Sequence, residues 1–180
     1  DAGALGLMYK WGRKDPFLGA QSSGSLEKAL STIQWPEAED SKSGVTVEYA
    51  TENPTVFFLM NYSSGDWTEM TDNTLWDADK TIYDPCPLGW RIPDGGTEGF
   101  WTLAGITKAQ ADGTNLGMSY PGYDFQAWYP LTGWLEKESS ALKSSDQRGN
   151  LWTLIPSGSD ARFMLFYSDA SITTDMTYSC

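Results

Sequence analysis

The stretch Asp84–Gly96, DPCPLGWRIPDGG, constrains this chain more than any other part of its sequence. It sets three prolines and three glycines around a Trp-Arg-Ile centre and holds one of the chain's two cysteines. Each proline fixes φ at about −65° and removes a backbone donor, so neither a helix nor a central strand can run through. Pro85 and Pro87 restrict the chain on either side of Cys86, Gly89 permits a tight turn, and Pro93 begins the approach to the next element. Thiol redox chemistry fits poorly, because the sequence has no Cys-x-x-Cys and no histidine to activate a thiolate. Two readings remain: a structural bridge in an oxidising compartment, or two buried free thiols in a cytosolic protein.

At 180 residues the chain has the length of one domain, residues 1–180, and can bury most of its apolar surface without a dense disulfide framework. Hydrophobic residues make up 40% and aromatic residues 14%, which argues for a packed fold over a disordered one. The formal charge of −12 repels phosphate backbones and anionic membranes. Lys10, Arg13 and Lys14 form the single compact basic group, a weak footprint for nucleic acid. The longest apolar run, Val56–Met60, falls far short of the roughly 20 residues that span a bilayer. The chain opens on Asp1 without a methionine and stops at Cys180 directly after a strand-like TYS. It therefore reads as a piece of a larger precursor, with any export signal or lipid anchor lying outside it.

Periodicity places a strand at Leu5, Leu7 and Tyr9, a turn at Asp15-Pro16, and a polar loop over residues 19–44 with a short helix at Leu26–Leu30. VTVEYATENP predicts a short helix stopped by Pro54, and TVFFLMNY a buried strand. TEGFWTLAGI predicts the clearest helix: Thr97 as N-cap, Glu98 in the first turn, Phe100, Leu103 and Ala104 on one face with Trp101 beside them, and Gly105 as the stop. After Gly122 come four strand-like runs broken by Gly, Ser and Asp. Two or three short helices followed by antiparallel strands and long loops define an α+β domain.

Five stretches taken in order resemble the Fibrobacter-type major paralogous domain and related surface and fimbria-associated domains of Bacteroidetes. They are LMYKWGRKDPF, YDPCPLGWRIPDGGTEGFWTLAG, YPLTGWLEKESSAL, NLWTLIPSGSDARFMLFYS and the closing TYSC. The matches run from Tyr9 to Cys180. The resemblance implies a C-type lectin-like fold, with a twisted antiparallel sheet, two or three short helices and long loops. It also implies a disulfide between Cys86 and Cys180, 94 positions apart. Such a bridge is worth on the order of 4–5 kcal/mol in the chain-entropy treatment. The charged run WLEKESSALKSSDQRGN and the LWTL at 151–154 depart from the family pattern, so loop specificity does not carry over.

Without histidine the usual general base and the commonest metal ligand are both missing. Carboxylate pairs such as Asp77 with Asp79, or Glu136 with Glu138, read as solvated charge in a chain with 24 acidic residues. Asp72, Asp77 and Asp79 offer the oxygen ligands a structural calcium would use, without EF-hand spacing; an ordinary polar loop is the favoured reading there. No cofactor is expected otherwise. Aromatics are the remaining candidates for ligand contact. Phe125, Trp128 and Tyr129 read as strand core, whereas Tyr120, Tyr123 and Trp134, near Gly and Pro turns and beside Asp124, read as exposed. Trp67 and Trp76, flanked by Asp66, Thr68, Asp77 and Asp79, are similar loop candidates. Function expected from these features is that of an exported, non-catalytic cell-surface or fimbria-associated binding domain acting in adhesion. Its partners would be a glycan or protein ligand and neighbouring domains of the parent protein. The alternatives are a structural or assembly module and, less favoured, a carbohydrate-active enzyme.

Overall fold

The longest strands lie in the last third of the chain, where aromatic residues are densest. The computed structural model describes residues 7–18, 37–111, 115–120, 126–144, 147–169 and 171–179. Strands β10 (Arg148–Ser157), β11 (Asp160–Tyr167) and β12 (Ile172–Ser179) form an antiparallel meander with β11 at its centre. From Phe163 to Phe166 every β11 side chain is buried, so both faces of the sheet are covered. Gly149 of β10 faces Phe166 at a point where an added Cβ would sit 2.0 Å from the ring, so only glycine fits there. Register between β10 and β11 shifts between Trp152 and Pro156, the place where a proline without a backbone donor interrupts an edge strand.

A second antiparallel meander, β5 (Thr107–Ala111), β6 (Asn115–Ser119) and β7 (Gln126–Pro130), packs Met118 and Tyr120 against Trp101, Leu131, Met164 and Phe166. The other sheets are small. Strands β1 (Leu7–Met8) and β2 (Phe17–Leu18) form a hairpin, as do β8 (Trp134–Leu135) and β9 (Leu142–Lys143). Strands β3 (Glu37–Glu39) and β4 (Val56–Phe58) pair in parallel across a connection containing helix α1 (Val47–Glu52). The Thr46 hydroxyl accepts the Tyr49 N–H at 3.1 Å, capping α1, and the helix ends before Pro54 as its sequence requires. The chain is thus a mixture of few helical residues and many strand residues, 10% and 35%, arranged mostly as small sheets.

The segment expected to be one helix from Thr97 is split. A 3-10 turn (Gly96–Glu98) precedes the single-turn helix α2 (Phe100–Leu103), and Gly99, in extended backbone, caps α2 in place of Thr97. One turn cannot bury a broad apolar stripe, so only Trp101 turns inward; Phe100 and Leu103 are 52% and 67% exposed. Of the predicted face, Phe100 and Leu103 are therefore exposed, while Ala104 packs with Trp101 on the core. At the N-terminus the strand covers Leu7–Met8 among the described residues and stops before Tyr9, and Leu5 and the predicted Leu26–Leu30 helix lie outside them.

Irregular backbone between the small sheets is held by buried polar side chains. Four tryptophans donate their indole N–H to backbone carbonyls: Trp11 to Thr153 (3.0 Å), Trp67 to Trp11 (2.9 Å), Trp76 to Tyr83 (2.9 Å) and Trp152 to Tyr9 (2.9 Å). A buried carbonyl left unpaired costs about 1–3 kcal/mol, and each indole removes one such cost while filling core volume. Lys10 and Arg13, two of the three residues in the compact basic group, are 5% and 3% exposed. Lys10 Nζ donates to Phe58 O at 2.6 Å. Arg13 spans the end of α1, donating to Val56 O at 2.7 Å and to Ala50, Asn53 and Pro54 carbonyls at 3.3–3.4 Å.

Asp84 explains the proline- and glycine-rich stretch. Its side chain is fully buried, and its two oxygens accept the N–H groups of Cys86 (2.7 Å) and Ile92 (3.1 Å), closing the loop at both ends. Lys80 Nζ pairs with the same carboxylate at 2.8 Å and also donates to Cys86 O at 2.7 Å. Within the loop, Trp90 N–H bonds to Pro87 O at 3.0 Å across a turn whose third residue, Gly89, has φ +85°. Burial alone would raise the Asp84 pKa, but hydrogen bonds from Lys80 and the two backbone N–H groups outweigh it and hold the carboxyl below its ordinary value.

Candidate functional site

A cleft of about 550 Å³ opens between the N-terminal hairpin and the start of β10. Pockets of this size hold a compact organic ligand or a few side chains of a partner. Phe57, Trp76, Trp101 and Phe163 are among the residues lining its depth, and Tyr9, Tyr129, Trp134 and Trp152 among its walls. Lys10, Lys137 and Arg148 also line it, with no carboxylate among the described lining residues.

Arg148 is held in a defined pose. Its Nε donates to Asn150 Oδ1 at 2.9 Å, Asn150 Nδ2 donates to Gly133 O at 3.0 Å, and Gly133 N–H closes onto Arg148 O at 2.6 Å. The guanidinium carbon then sits 4.2 Å from the centroid of the Trp134 ring, a cation–π stack at the cleft wall. Lys10 Nζ is 4.6 Å from the Phe57 centroid in addition to its bond to Phe58 O.

Around Trp101 the cleft adjoins two phenols. The hydroxyls of Tyr120 and Tyr129 bond to each other. Burial first, and the neighbouring phenol second, push the Tyr120 pKa far up, so Tyr120 stays neutral at any ordinary pH. The Trp101 indole lies close enough to favour the ionised form of Tyr120 slightly, yet its N–H falls short of hydrogen-bond geometry and is buried without a partner. Tyr9 is likewise pushed up by burial and by Cys86.

Of the aromatic residues singled out from sequence, Trp134 stands in the cleft wall, half-buried. Trp67 and Trp76 are not exposed loop residues: each is 1% exposed, Trp67 in one core cluster and Trp76 in another, at the cleft floor. Their acidic flank misled the reading, because Asp66 is itself buried and uses its carboxylate on the Trp67 and Thr68 N–H groups and the Thr68 hydroxyl. Tyr120 is 5% exposed while Trp128 is 46% exposed, the reverse of the expected assignment. Alternation along β7 turns Tyr129 inward toward Phe166 and Trp128 outward. Tyr123 and Asp124 lie outside the described residues.

Asp72, Asp77 and Asp79 do not gather into a cation cage. Asp72 accepts the N–H and hydroxyl of Thr74 (2.9 and 2.7 Å), Asp77 accepts the N–H of Ala78, and no metal-competent group of three acidic or thiol ligands occurs among the described residues. Glu136 pairs with Ser139 and Lys143 instead of Glu138, while Asp77 and Asp79 are exposed; neither pair flanks a cleft.

Cys86 makes no bridge among the described residues, and Cys180 lies outside them. As a thiol, Cys86 would be pushed up by burial and by Asp84, which disfavours the reactive thiolate. Sequence reading missed Lys10, Arg148 and Trp152 as cleft residues. The signal for Lys10 was its place between Tyr9 and Trp11, and Arg148 lay in the charged run set aside as a departure. No family model, curated protein or solved structure matches the chain. Among the described residues no helix is long and apolar enough to cross a membrane. The class defined here is a mixed helix-and-strand domain with an aromatic cleft ringed by cations.

Proposed function

We propose that this is a non-catalytic, exported binding domain of C-type lectin-like fold that acts in adhesion at the cell surface or in a fimbria-associated protein. The observation that carries the proposal is the cleft. Its aromatic walls and preset Arg148 supply contact area and orientation, and the described residues of its lining include no carboxylate for acid–base work. The five ordered stretches resembling surface domains support the address. A bridge from Cys86 to Cys180 belongs to the same proposal. Tyr178 stands opposite Ala161 in the β12–β11 register, and Ala161 packs in the cluster with Tyr83 and Ile92, which flank the cysteine loop. A screen of the domain against glycans and host proteins, with and without calcium, tests the reading. A hit weakened by Trp134→Ala supports it, and the absence of any hit argues against it.

A specific observation favours assembly as the second reading. Leu88 and Trp90 on the cysteine loop, and Ile82 just before it, are 96%, 73% and 74% exposed. Apolar side chains presented this way suit contact with a neighbouring domain. Leu88→Ser with Trp90→Ser would disrupt assembly of the parent protein and leave ligand capture intact if that loop serves assembly.

A further inference from the structure

We infer that the cleft takes a compact, largely apolar small molecule carrying a carbonyl oxygen, and that the Tyr129 hydroxyl donates to that oxygen; this goes beyond adhesion and rests on the cleft being the binding site. Shape sets the first limit. A volume of about 550 Å³, lined by residues drawn from Leu7 to Phe163, is that of a small-ligand pocket, where most of the surface is apolar and a few polar groups fix orientation. Phe57, Trp76, Trp101 and Phe163, all buried, leave little but aromatic carbon in its depth. A polyhydroxylated sugar entering there gives up its water without finding new partners, and buried hydroxyls without partners lose affinity.

Hydrogen bonding sets the second limit. Trp11, Trp67, Trp76 and Trp152 each spend the indole N–H on a backbone carbonyl. Trp101 departs from that pattern. It is 6% exposed, it lines the cleft, and its N–H is buried without a partner, a placement folded chains avoid. Beside it lies the Tyr120 hydroxyl, which bonds to the hydroxyl of Tyr129, and Tyr129 lines the cleft. An indole N–H donates and never accepts, so a chain of bonds that begins at Trp101 has one direction: Trp101 to Tyr120, Tyr120 to Tyr129, and Tyr129 onward. The pKa of Tyr120 agrees: burial raises it most, and the bond to Tyr129 raises it further, as it does for a donor whose protonated form is stabilised. That leaves Tyr129 with a proton for which no described residue supplies an acceptor. A carbonyl oxygen is the acceptor the other four indoles use in this fold, and on an otherwise apolar molecule it meets both limits. Linked hydrogen bonds polarise one another, so occupying the last position strengthens the first.

A matched pair of probes tests this on the intact domain: para-fluoroacetophenone, which carries the carbonyl, and para-fluoroethylbenzene, which keeps the shape without it. Fluorine NMR titration reads the two affinities. The expected result is that both bind, the ketone about fivefold more tightly, as one added hydrogen bond allows. Tyr129→Phe keeps the ring that packs against Phe166, and should bring the ketone down to the affinity of the hydrocarbon while leaving the hydrocarbon unchanged. Trp134→Ala should weaken both probes. Equal affinities in the unaltered domain, or a ketone preference that survives Tyr129→Phe, overturns the proposal; the first comparison needs no variant, so it stands even where Tyr129→Phe perturbs folding. If neither probe binds while a glycan or host protein does and is weakened by Trp134→Ala, the inference fails and the binding-domain reading stands. If the ketone is preferred and the preference is lost in Tyr129→Phe while no glycan or host protein binds, the inference holds and adhesion fails. If nothing binds, both fail.

Discussion

Two halves of the molecule solve the same problem differently. In the sheet of β10, β11 and β12, backbone groups satisfy one another along long ladders, and side chains are left to pack. From Val45 to Ile92 strands are few, and the backbone is satisfied by side chains: Lys10, Arg13, Asn61 and the Trp76 indole donate to carbonyls, and Asp84 accepts N–H groups. A ladder tolerates substitution because each bond is made by atoms every residue has. A side-chain anchor is specific to its residue, so the irregular half is the more fragile at single positions. The two halves meet where Trp11 reaches Thr153 and Leu154 N–H reaches Pro93 O (3.0 Å), which covers the open edge of β10.

Experiments can press on this contrast in descending order of effect. The proposed Cys86–Cys180 bridge joins the two halves covalently. Native protein should show no titratable thiol, and Cys86→Ala with Cys180→Ala should lower unfolding free energy by about 4–5 kcal/mol; two thiols reacting without reductant would remove the bridge. Trp67→Ala deletes both a core ring and an anchor, and denaturant titration should register a loss of about 3–5 kcal/mol. Asp84→Asn should cost about 3 kcal/mol at neutral pH, since three hydrogen bonds to a buried carboxylate are weakened. Because those bonds hold the folded carboxyl below its ordinary value, its contribution is complete above about pH 4 and is lost as pH falls through the lowered folded pKa. The gap between wild type and Asp84→Asn should therefore close in acid; a gap constant down to low pH would contradict the assignment. Trp11→Phe should cost about 1–2 kcal/mol more than Trp101→Phe, because only Trp11 has an indole bond to lose. Smallest is Asp94→Asn. The exposed Arg91–Asp94 pair, at 2.7 Å, should contribute less than about 1 kcal/mol and fade with salt.

Where local chemistry decides structure, the sequence was legible. Helix α1 before Pro54, the strand at Val56–Phe58 and the run of strands from Arg148 follow from capping, proline and period-two alternation. Burial of polar residues was not legible. Lys10, Arg13 and Asp66 have the composition of a surface, and only long-range partners 37 to 48 positions away give the first two reason to go inside. The cleft was half-legible: Trp134 stood out beside a glycine turn, but Arg148 and Lys10 reach it from chain positions 138 apart. Apolar spacing at Phe100 and Leu103 implied an inward face that a one-turn helix capped by Gly99 cannot supply.

Tyr9 to Arg13 carries a schedule as well as a set of contacts. Trp11 bonds to a carbonyl 142 positions later, and Tyr9 receives an indole from 143 positions later. On a ribosome, Lys10 and Arg13 meet their carbonyls within about the next fifty residues, but Tyr9 and the Trp11 indole wait for these two moorings until most of the domain has been synthesised. Assembly of this half is therefore slow and late, limited by the closure of very large loops. The unsecured interval leaves the chain pliant for as long as it is still being made.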